Sequence, residues 1–356
     1  MQMLSLLKDT NRNRILKIGR QWAIIFLFIE LAFFSIMARG FLSFHTFQII
    51  LFYGTAVFLM GTAELFVIIT GGIDLSVGYV MGLASIVSAK LIVVLTEAGM
   101  LPLTAILLGI AITLIIGLVP GLINGILVSR LKVPAFIATF SMLGICHGVS
   151  ELLIVDKAAK NLPELASLIG NNRFIYYVKG EGFSFFIRPE VARGVKVFEL
   201  IPNVVAIAFL FIAVFSFILK RTKFGAHTYA IGGNMDAAVR SGIDVKGHLT
   251  RVYILSSFLA TLAGVLYMLK YVTGKADAGA ASLLDSIAAV VIGGASLYGG
   301  KGTVWKTILG GVIIAVLETG LRVMGIPTFD KYIIVGVILV SAVLIDQLFP
   351  DLTYEE

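Results

Sequence analysis

Long apolar segments follow one another along almost the whole chain, with only short polar segments between them. Each is roughly long enough to cross a bilayer as a helix, which takes about 20 residues. Charged residues make up 14% of the sequence, against about 25% in a soluble domain. We therefore predict an all-α, polytopic membrane protein with about ten transmembrane helices in a single domain over residues 1–356. The predicted spans are 22–38, 47–70, 74–95, 102–129, 134–155, 202–219, 251–272, 284–298, 303–324 and 331–349.

The first apolar segment follows a basic N-terminal stretch, as it would in a secretory signal peptide. No small-residue cleavage site of the A-x-A type follows it, so we interpret it as a retained first span. About ten spans place both termini on the same side of the membrane.

Lysine and arginine positions indicate the orientation, because cytoplasmic loops carry most of these residues. They are concentrated in the N-terminal stretch, at 130–132, in the segment 220–250 and at 301–306. This predicts N-in and C-in topology, with 156–201 as an extracytoplasmic loop and 220–250 as a cytoplasmic one. The loop 156–201 is also rich in basic residues, but acidic residues nearly balance them. A short helix at 162–170 and a strand or interfacial hairpin at 183–187 are expected there, serving either as a cap or as a docking surface.

Glycine and proline interrupt several spans. A helix broken within lipid needs protein or a water-filled cavity to satisfy its free backbone groups, so repeated breaks are typical of a transport path built from discontinuous helices. Tight helix packing through small residues is the alternative. The interruptions are at Gly71-Gly72, Pro120-Gly121, Gly293-Gly294 and Gly299-Gly300.

Two acidic residues near the first break are candidate functional groups, because an ionisable side chain inside a membrane is costly. Glu64 lies inside the second span and is a candidate for lining a cavity or carrying a proton in a secondary transporter. Asp74 directly follows Gly71-Gly72, and there capping of the next helix is the simpler interpretation.

No enzyme motif, metal-ligand spacing or cofactor motif is present. The four histidines are scattered, and the single Cys146 lies in an apolar segment. Gly299-Gly300-Lys301-Gly302-Thr303 lacks the upstream glycine and the hydroxyl residue after lysine that a phosphate-binding loop requires. In a membrane protein, the net charge of +7 is typical of loops facing anionic lipid and does not indicate nucleic-acid binding.

The polar segment 220–250 contains an alanine-rich stretch. Asn234 or Asp236 is placed to cap a short helix there, and Gly242 to end it. A helix of about two turns is marginal in water, so it needs a partner surface. A solvated connector is the alternative.

Four blocks, in order, resemble the permeases of ribose- and galactoside-type bacterial ABC importers. The first, residues 71–78, reads GGIDLSVG, and the second combines GLING at 121–125 with PAFIAT at 134–139. The third is 231–243, and the fourth is 287–294, continued by 299–304.

This resemblance implies a multi-pass permease subunit of the bacterial cytoplasmic membrane that is not itself an enzyme. Its expected partners are an ABC ATPase subunit, an extracytoplasmic solute-binding protein and a second permease copy or close homologue. The resemblance places an ATPase-coupling helix at Gly232, Gly233, Asn234, Asp236, Ala237, Ala238, Arg240, Ser241 and Gly242. Candidate path or gate residues are Asp74, Ser76, Asn124, Phe136, Thr139 and Glu64.

The chain departs from the family pattern at Glu64, Asp285, Glu318 and Lys331, and these departures bear on the solute more than on the fold. The GGIDLS form favours a monosaccharide such as ribose or galactose. A nucleoside, an autoinducer or a branched-chain amino acid stays open as the solute, as does a proton-coupled mechanism.

Overall fold

The structure is a computed structural model. It describes residues 21–154, 162–186, 188–191 and 195–327, together with 330, 332–337, 340, 341 and 344. The predicted basic N-terminal stretch and most of the predicted span 331–349 lie outside the described residues.

Helices account for 73% of the described residues, which confirms the prediction of a polytopic helical membrane protein. Seven of them are long and apolar enough to cross a membrane, counting 102–129 as one, and two shorter apolar helices (α1 and α12) accompany them. The helices are α1 Trp22–Met37, α2 Phe44–Ile69, α3 Val77–Glu97, α4 Pro102–Ile116, α5 Leu118–Ser129, α6 Ala135–Ile154, α7 Glu164–Asn171, α8 Asn203–Arg221, α9 Lys223–Gly233, α10 Met235–Arg240, α11 Val245–Tyr271, α12 Ala280–Ile292 and α13 Val304–Val323.

A small antiparallel sheet departs from the all-α expectation. Its strands are β1 Arg173–Val178, β2 Gly182–Phe185 and β3 Val197–Pro202, with β1 in the centre. The predicted helix near 162–170 and strand near 183–187 are present as α7 and β2. The sequence did not predict β1 or β3, whose pairing joins residues far apart in the chain.

The core forms around α2 and α11, which with α13 are the most deeply buried of the long helices. α11 is about 40 Å long at 1.5 Å per residue, and it packs against α2, α3 and α5. One end of α11 adjoins α10. At the other end, the carbonyl of Lys270 accepts a hydrogen bond from Asn171 Nδ2 (3.1 Å), next to the sheet. We call these the α10 end and the sheet end of the molecule.

The helix breaks are only partly where the sequence predicted them. α2 ends at Ile69, and Gly71 adopts φ +83°, so the Gly71-Gly72 break is confirmed. The fourth span breaks at Gly117, not at Pro120-Gly121. Pro120 lies in the first turn of α5, where a missing N–H costs nothing. A Cβ on Gly117 would lie 2.0 Å from Thr261 Oγ1, so glycine permits close contact with α11.

Candidate coupling surface and buried polar cluster

The polar segment after α8 folds into two helices. Asn234 ends α9 and caps α10, because its Oδ1 accepts a hydrogen bond from the N–H of Ala237 (2.9 Å). Gly242, at φ +80°, follows α10 and donates its N–H to the carbonyl of Val239 (3.0 Å). The predicted cap and stop are therefore confirmed. The helix is shorter than the predicted 232–242, since Gly232 and Gly233 belong to α9, and Ser241 and Gly242 follow α10.

One face of α10 is anchored and the other is exposed. Ala238 is buried in a small cluster with Ile231, Val245 and Leu249. A helix of about one and a half turns is not stable by itself in water. The contact of Ala238 and the cap by Asn234 therefore fix the position of α10. The exposed face presents Met235, Asp236, Ala237, Val239 and Arg240, a mixture of apolar and charged groups of the kind that protein partners bind.

The end of α9 lies directly against the end of α2. The N–H of Gly300 donates to the carbonyl of Ile69 (2.8 Å), and a Cβ on Gly232 would lie only 1.6 Å from that carbonyl oxygen. Tyr229 in α9 donates its hydroxyl to the carbonyl of Gly302 (2.7 Å). Burial raises the pKa of Tyr229, so its hydroxyl stays a donor. The 299–303 loop thus joins α9 to α2.

A cavity of about 480 Å³ separates α10 from the helix break. Met235 and Val239 form its α10 wall, and Gly71, Gly72 and Tyr253 lie among the opposite lining residues. Met235 and Val239 therefore face this cavity as well as solvent.

Asp74 is the centre of a buried polar cluster just beyond this break. Its Oδ1 accepts hydrogen bonds from the N–H (3.0 Å) and the hydroxyl (2.5 Å) of Ser76, and its Oδ2 accepts from the hydroxyl of Ser256 in α11 (2.8 Å). Glu64 in α2 accepts the backbone N–H of Asp74 on Oε2 (3.3 Å). Two carboxyl groups therefore fix the non-helical segment between α2 and α3.

Two further side chains extend the cluster to α5 and α6. Asn124 donates through Nδ2 to the hydroxyl of Ser76 (3.0 Å), and Thr139 donates to the carbonyl of Ile73 (3.2 Å). Among the described residues, Glu64 Oε1 and Asn124 Oδ1 are buried without a hydrogen-bond partner. The cluster thus retains unused acceptor capacity.

The structure brings five of the six candidate path residues together, but all five are buried and none lines an open channel. The sixth, Phe136, is 60% exposed and stacks on Phe140 (5.9 Å) instead. Asp74 does not cap α3 as expected. Ser76 occupies the N-cap position without a side-chain cap bond, and Asp74 binds its N–H. A path or gate role for the six stays a prediction.

Ser256 is a cluster member that the sequence analysis missed. It lies within the apolar helix α11, next to Ser257, whose hydroxyl binds the carbonyl of Gly117 (2.6 Å). Two adjacent hydroxyl residues inside an apolar span were the available signal, because such side chains hydrogen-bond across helices in membranes.

α6 exposes polar and small residues along an otherwise apolar face. Gly144 and Gly148 have open space where a Cβ would point. Next to them, His147 Nε2 lies 3.5 Å from Glu151 Oε1, and both side chains are about half exposed. Charged groups are costly against lipid, and paired glycines let a second helix approach closely. This face is therefore suited to water or to another protein surface.

No group of three His, Cys, Asp or Glu side chains that would suit a metal ion occurs within the part of the chain that the structure describes.

Residues 46–343 match the family model described as the permease component of branched-chain amino acid transport systems. The chain belongs to this family. It is accordingly a multi-pass bacterial membrane protein and a permease subunit.

Among its relatives, the fructose import permease protein FrcC of Rhizobium meliloti is 31% identical, covering 91% of this chain and 84% of the relative. The ribose import permease protein RbsC of Bacillus subtilis is 35% identical, covering 79% of this chain and 78% of the relative. The D-allose transport system permease protein AlsC of Escherichia coli is 32% identical, covering 82% and 79%. No solved structure shows a significant match.

Proposed function

We propose that this chain is the membrane-spanning subunit of an ATP-driven importer of a monosaccharide. The observation that carries the proposal is the set of relatives: permeases named for fructose, ribose and allose import are at least 31% identical to this chain over about four-fifths of its length or more. The solute is delivered by an extracytoplasmic binding protein, and a separate ABC ATPase subunit supplies the energy.

The exposed face of α10 is the surface that receives the ATPase. The helix α10 is short, capped by Asn234 and anchored by Ala238. A movement of the ATPase is therefore passed on to the helices that α10 contacts. The route into the membrane runs through α9, where Gly232 lies against the end of α2, and so to the break that Glu64 and Asp74 hold. This arrangement supports a mechanism in which closure of the ATPase dimer shifts the permease between outward and inward openings.

The exposed α6 face supports a pair of permeases with the translocation path between them. Gly144 and Gly148 permit close approach of the second copy or homologue, and the His147–Glu151 pair then faces water or protein. Phe136 lies on the same helix, at its α10 end. The buried cluster around Asp74 holds α5 and α6 to the break, so movement at the break reaches this face.

Reconstitution tests the proposal. The permease is incorporated into vesicles with the ATPase subunit and the binding protein encoded beside it, and uptake of labelled ribose, fructose, allose, galactose and xylose is measured. We expect ATP-dependent uptake of at least one sugar that an ATPase-dead partner abolishes. Uptake that an uncoupler abolishes, but that proceeds with the ATPase-dead partner, would establish a proton-coupled transporter instead.

A further inference from the structure

A second cavity, at the sheet end of the molecule, lies within a single copy of the chain. Its volume is about 440 Å³, within the range of about 300–1,000 Å³ that small-molecule sites occupy. The cavity lies between the first half of α2, the last turns of α11, the start of α12 and the last turns of α13, with Arg173 of β1 at its edge. None of its described lining residues comes from α4, α5 or α6, so it is separate from the α6 face.

Aromatic rings form one wall of this cavity. Phe52 and Tyr271 pack edge to face with ring centroids 5.8 Å apart, and Tyr267 and Tyr271 are 4.5 Å apart. Lys270 Nζ lies 4.4 Å from the centre of the Phe52 ring. Rings supply a large contact area for an apolar face of a ligand, and tyrosine adds a hydroxyl at the rim.

The charged side chains in the lining are Arg173, Lys270, Arg322 and Glu318. Arg322 pairs with Glu318 (2.8 Å), and Arg173 Nε lies 3.4 Å from Oε2 of Glu199, which is outside the lining. The hydroxyl of Tyr53 donates to Asp285, also outside the lining (2.7 Å). Both arginines are therefore already paired with a carboxylate. The hydroxyl of Thr319 lies in the same wall, fully buried and without a hydrogen-bond partner.

This lining discriminates among ligand classes. A simple anion meets two arginines that are already paired with carboxylates, and a simple cation meets three basic side chains beside a single carboxylate. A lipid chain is better matched by the cavity elsewhere at this end in which Asn203 is the one polar lining residue and Phe47, Leu51 and Phe174 are among the apolar ones. A neutral polyhydroxyl molecule both donates and accepts hydrogen bonds and has apolar ring faces, and it satisfies every part of the wall.

We infer that this cavity binds a neutral monosaccharide-sized polyol inside each permease copy, apart from the path between copies. The inference rests on the proposed function for the identity of the solute class. The rings of Tyr267 and Tyr271 stack on the sugar, and the Glu318–Arg322 pair hydrogen-bonds its hydroxyls. This places a second sugar site on the side of the membrane where the sheet lies.

Saturation-transfer NMR on the full-length permease in lipid nanodiscs, without binding protein or ATPase, tests the inference. The probes are D-ribose, D-fructose, D-allose, D-galactose and D-xylose, with D-gluconate as the anionic probe. We expect at least one neutral sugar to give a saturable signal that exceeds that of gluconate. A stronger signal from gluconate, or no signal from any sugar, overturns the inference.

Variants locate the signal. Ala281→Phe fills the cavity and should abolish binding, and Tyr271→Leu should weaken it about three- to tenfold, the range expected for one stacking ring. Phe183→Ala removes an exposed ring of β2 outside the cavity and should leave binding unchanged. Equal binding by Tyr271→Leu and wild type contradicts the inference even if Ala281→Phe does not fold.

The reconstituted uptake assay separates this inference from the proposed function. Sugar uptake by the wild-type permease without a sugar signal in nanodiscs contradicts the cavity site but supports the importer function. If no sugar is taken up in an ATP-dependent way, the proposed function is wrong, whichever sugars bind in the nanodiscs.

Discussion

The backbone N–H of Asp74 donates a hydrogen bond to Glu64 Oε2, 3.3 Å away, across the break between α2 and α3. Both side chains are fully or almost fully buried. The bond gives Glu64 a structural role, the support of a non-helical segment within the membrane-spanning part of the chain, where water is not available to satisfy free N–H groups.

Substitution of Glu64 should separate that structural role from proton transport. Glu64→Gln keeps an acceptor for the N–H of Asp74, so we expect a folded permease with ATP-driven uptake close to wild type. Glu64→Leu leaves the N–H unpaired and should lower the free energy of unfolding by about 1–3 kcal/mol. Thermal unfolding in detergent and vesicle uptake measure the two effects. Complete loss of uptake in a stable Glu64→Gln protein would favour a proton-carrying role.

Asp74 and Ser256 should differ in their effect on stability. Asp74→Ala removes the acceptor of three hydrogen bonds, whereas Ser256→Ala removes a single donor. Unpaired buried partners cost about 1–3 kcal/mol each, so the Asp74→Ala protein should unfold at a clearly lower temperature than Ser256→Ala. Thr96→Ala is a control outside the cluster, since its hydroxyl binds only its own helix, at Ile92 (2.7 Å). The reverse order of the two cluster variants would show that Asp74 does not organise the cluster.

Two adjacent glycines provide a matched test of the α9–α2 contact. A Cβ on Gly232 would lie 1.6 Å from the carbonyl oxygen of Ile69, whereas a Cβ on Gly233 meets nothing within 4 Å. Gly232→Ala should therefore displace α9, lowering the unfolding temperature and abolishing ATP-driven uptake. Gly233→Ala should behave like wild type in both measurements. Normal uptake by Gly232→Ala would mean that α9 and α2 move independently.

Charge reversal on α10 tests whether its exposed face receives the ATPase. Arg240 is exposed at the last turn, so Arg240→Glu should leave folding unchanged. Like charges brought together at an interface cost several kcal/mol, and we expect ATPase binding to weaken about tenfold or more. Arg221→Glu, an exposed basic residue at the end of α8, is the control. Pull-down of the ATPase and its stimulation by solute-loaded binding protein report the effect, and equal behaviour of both variants excludes α10 as the contact.

If two permease copies contact each other through the exposed face of α6, a crosslink should form there. Cysteine placed at Gly148 should form a disulfide between two copies in the membrane if the pair is made of identical chains, because that position is open. The native Cys146 is buried on the opposite side of α6 and should not react, and cysteine at Ile36, an exposed residue of α1, serves as a second control. Non-reducing electrophoresis of oxidised membranes provides the measurement. Crosslinking at Ile36 but not at Gly148 would place the pairing surface elsewhere.

The apolar segments were predictable from sequence because a membrane-spanning helix needs a length that few other elements need. α2, α6 and α13 begin and end within three residues of their predicted bounds. α12 did not follow this rule. It is only 13 residues long, and the glycines that were taken as breaks inside it lie beyond its end, in the turns before α13.

Residues of the polar cluster were singled out by their motif, but their burial was not predictable. Asp74, Asn124 and Ser256 come from distant parts of the chain. Only tertiary packing shows that their side chains are joined by hydrogen bonds in one cluster. Phe136 was grouped with them because it lies in the same sequence block, yet its helical position turns it outward. The sheet-end cavity left no local signal either, since its wall combines residues from α2, α11, α12 and α13.

α11 runs without interruption from the base of α10 to the wall of the sheet-end cavity. Its first turns hold Val245 and Leu249 against α10, and its last turns provide Tyr267 and Tyr271. If ATPase binding at α10 shifts this helix and changes sugar affinity in the cavity by some factor, occupancy of the cavity must change ATPase affinity by the same factor. A continuous helix of this kind would link the binding of a sugar at one end to the binding of the ATPase at the other, each changing the affinity for the other equally.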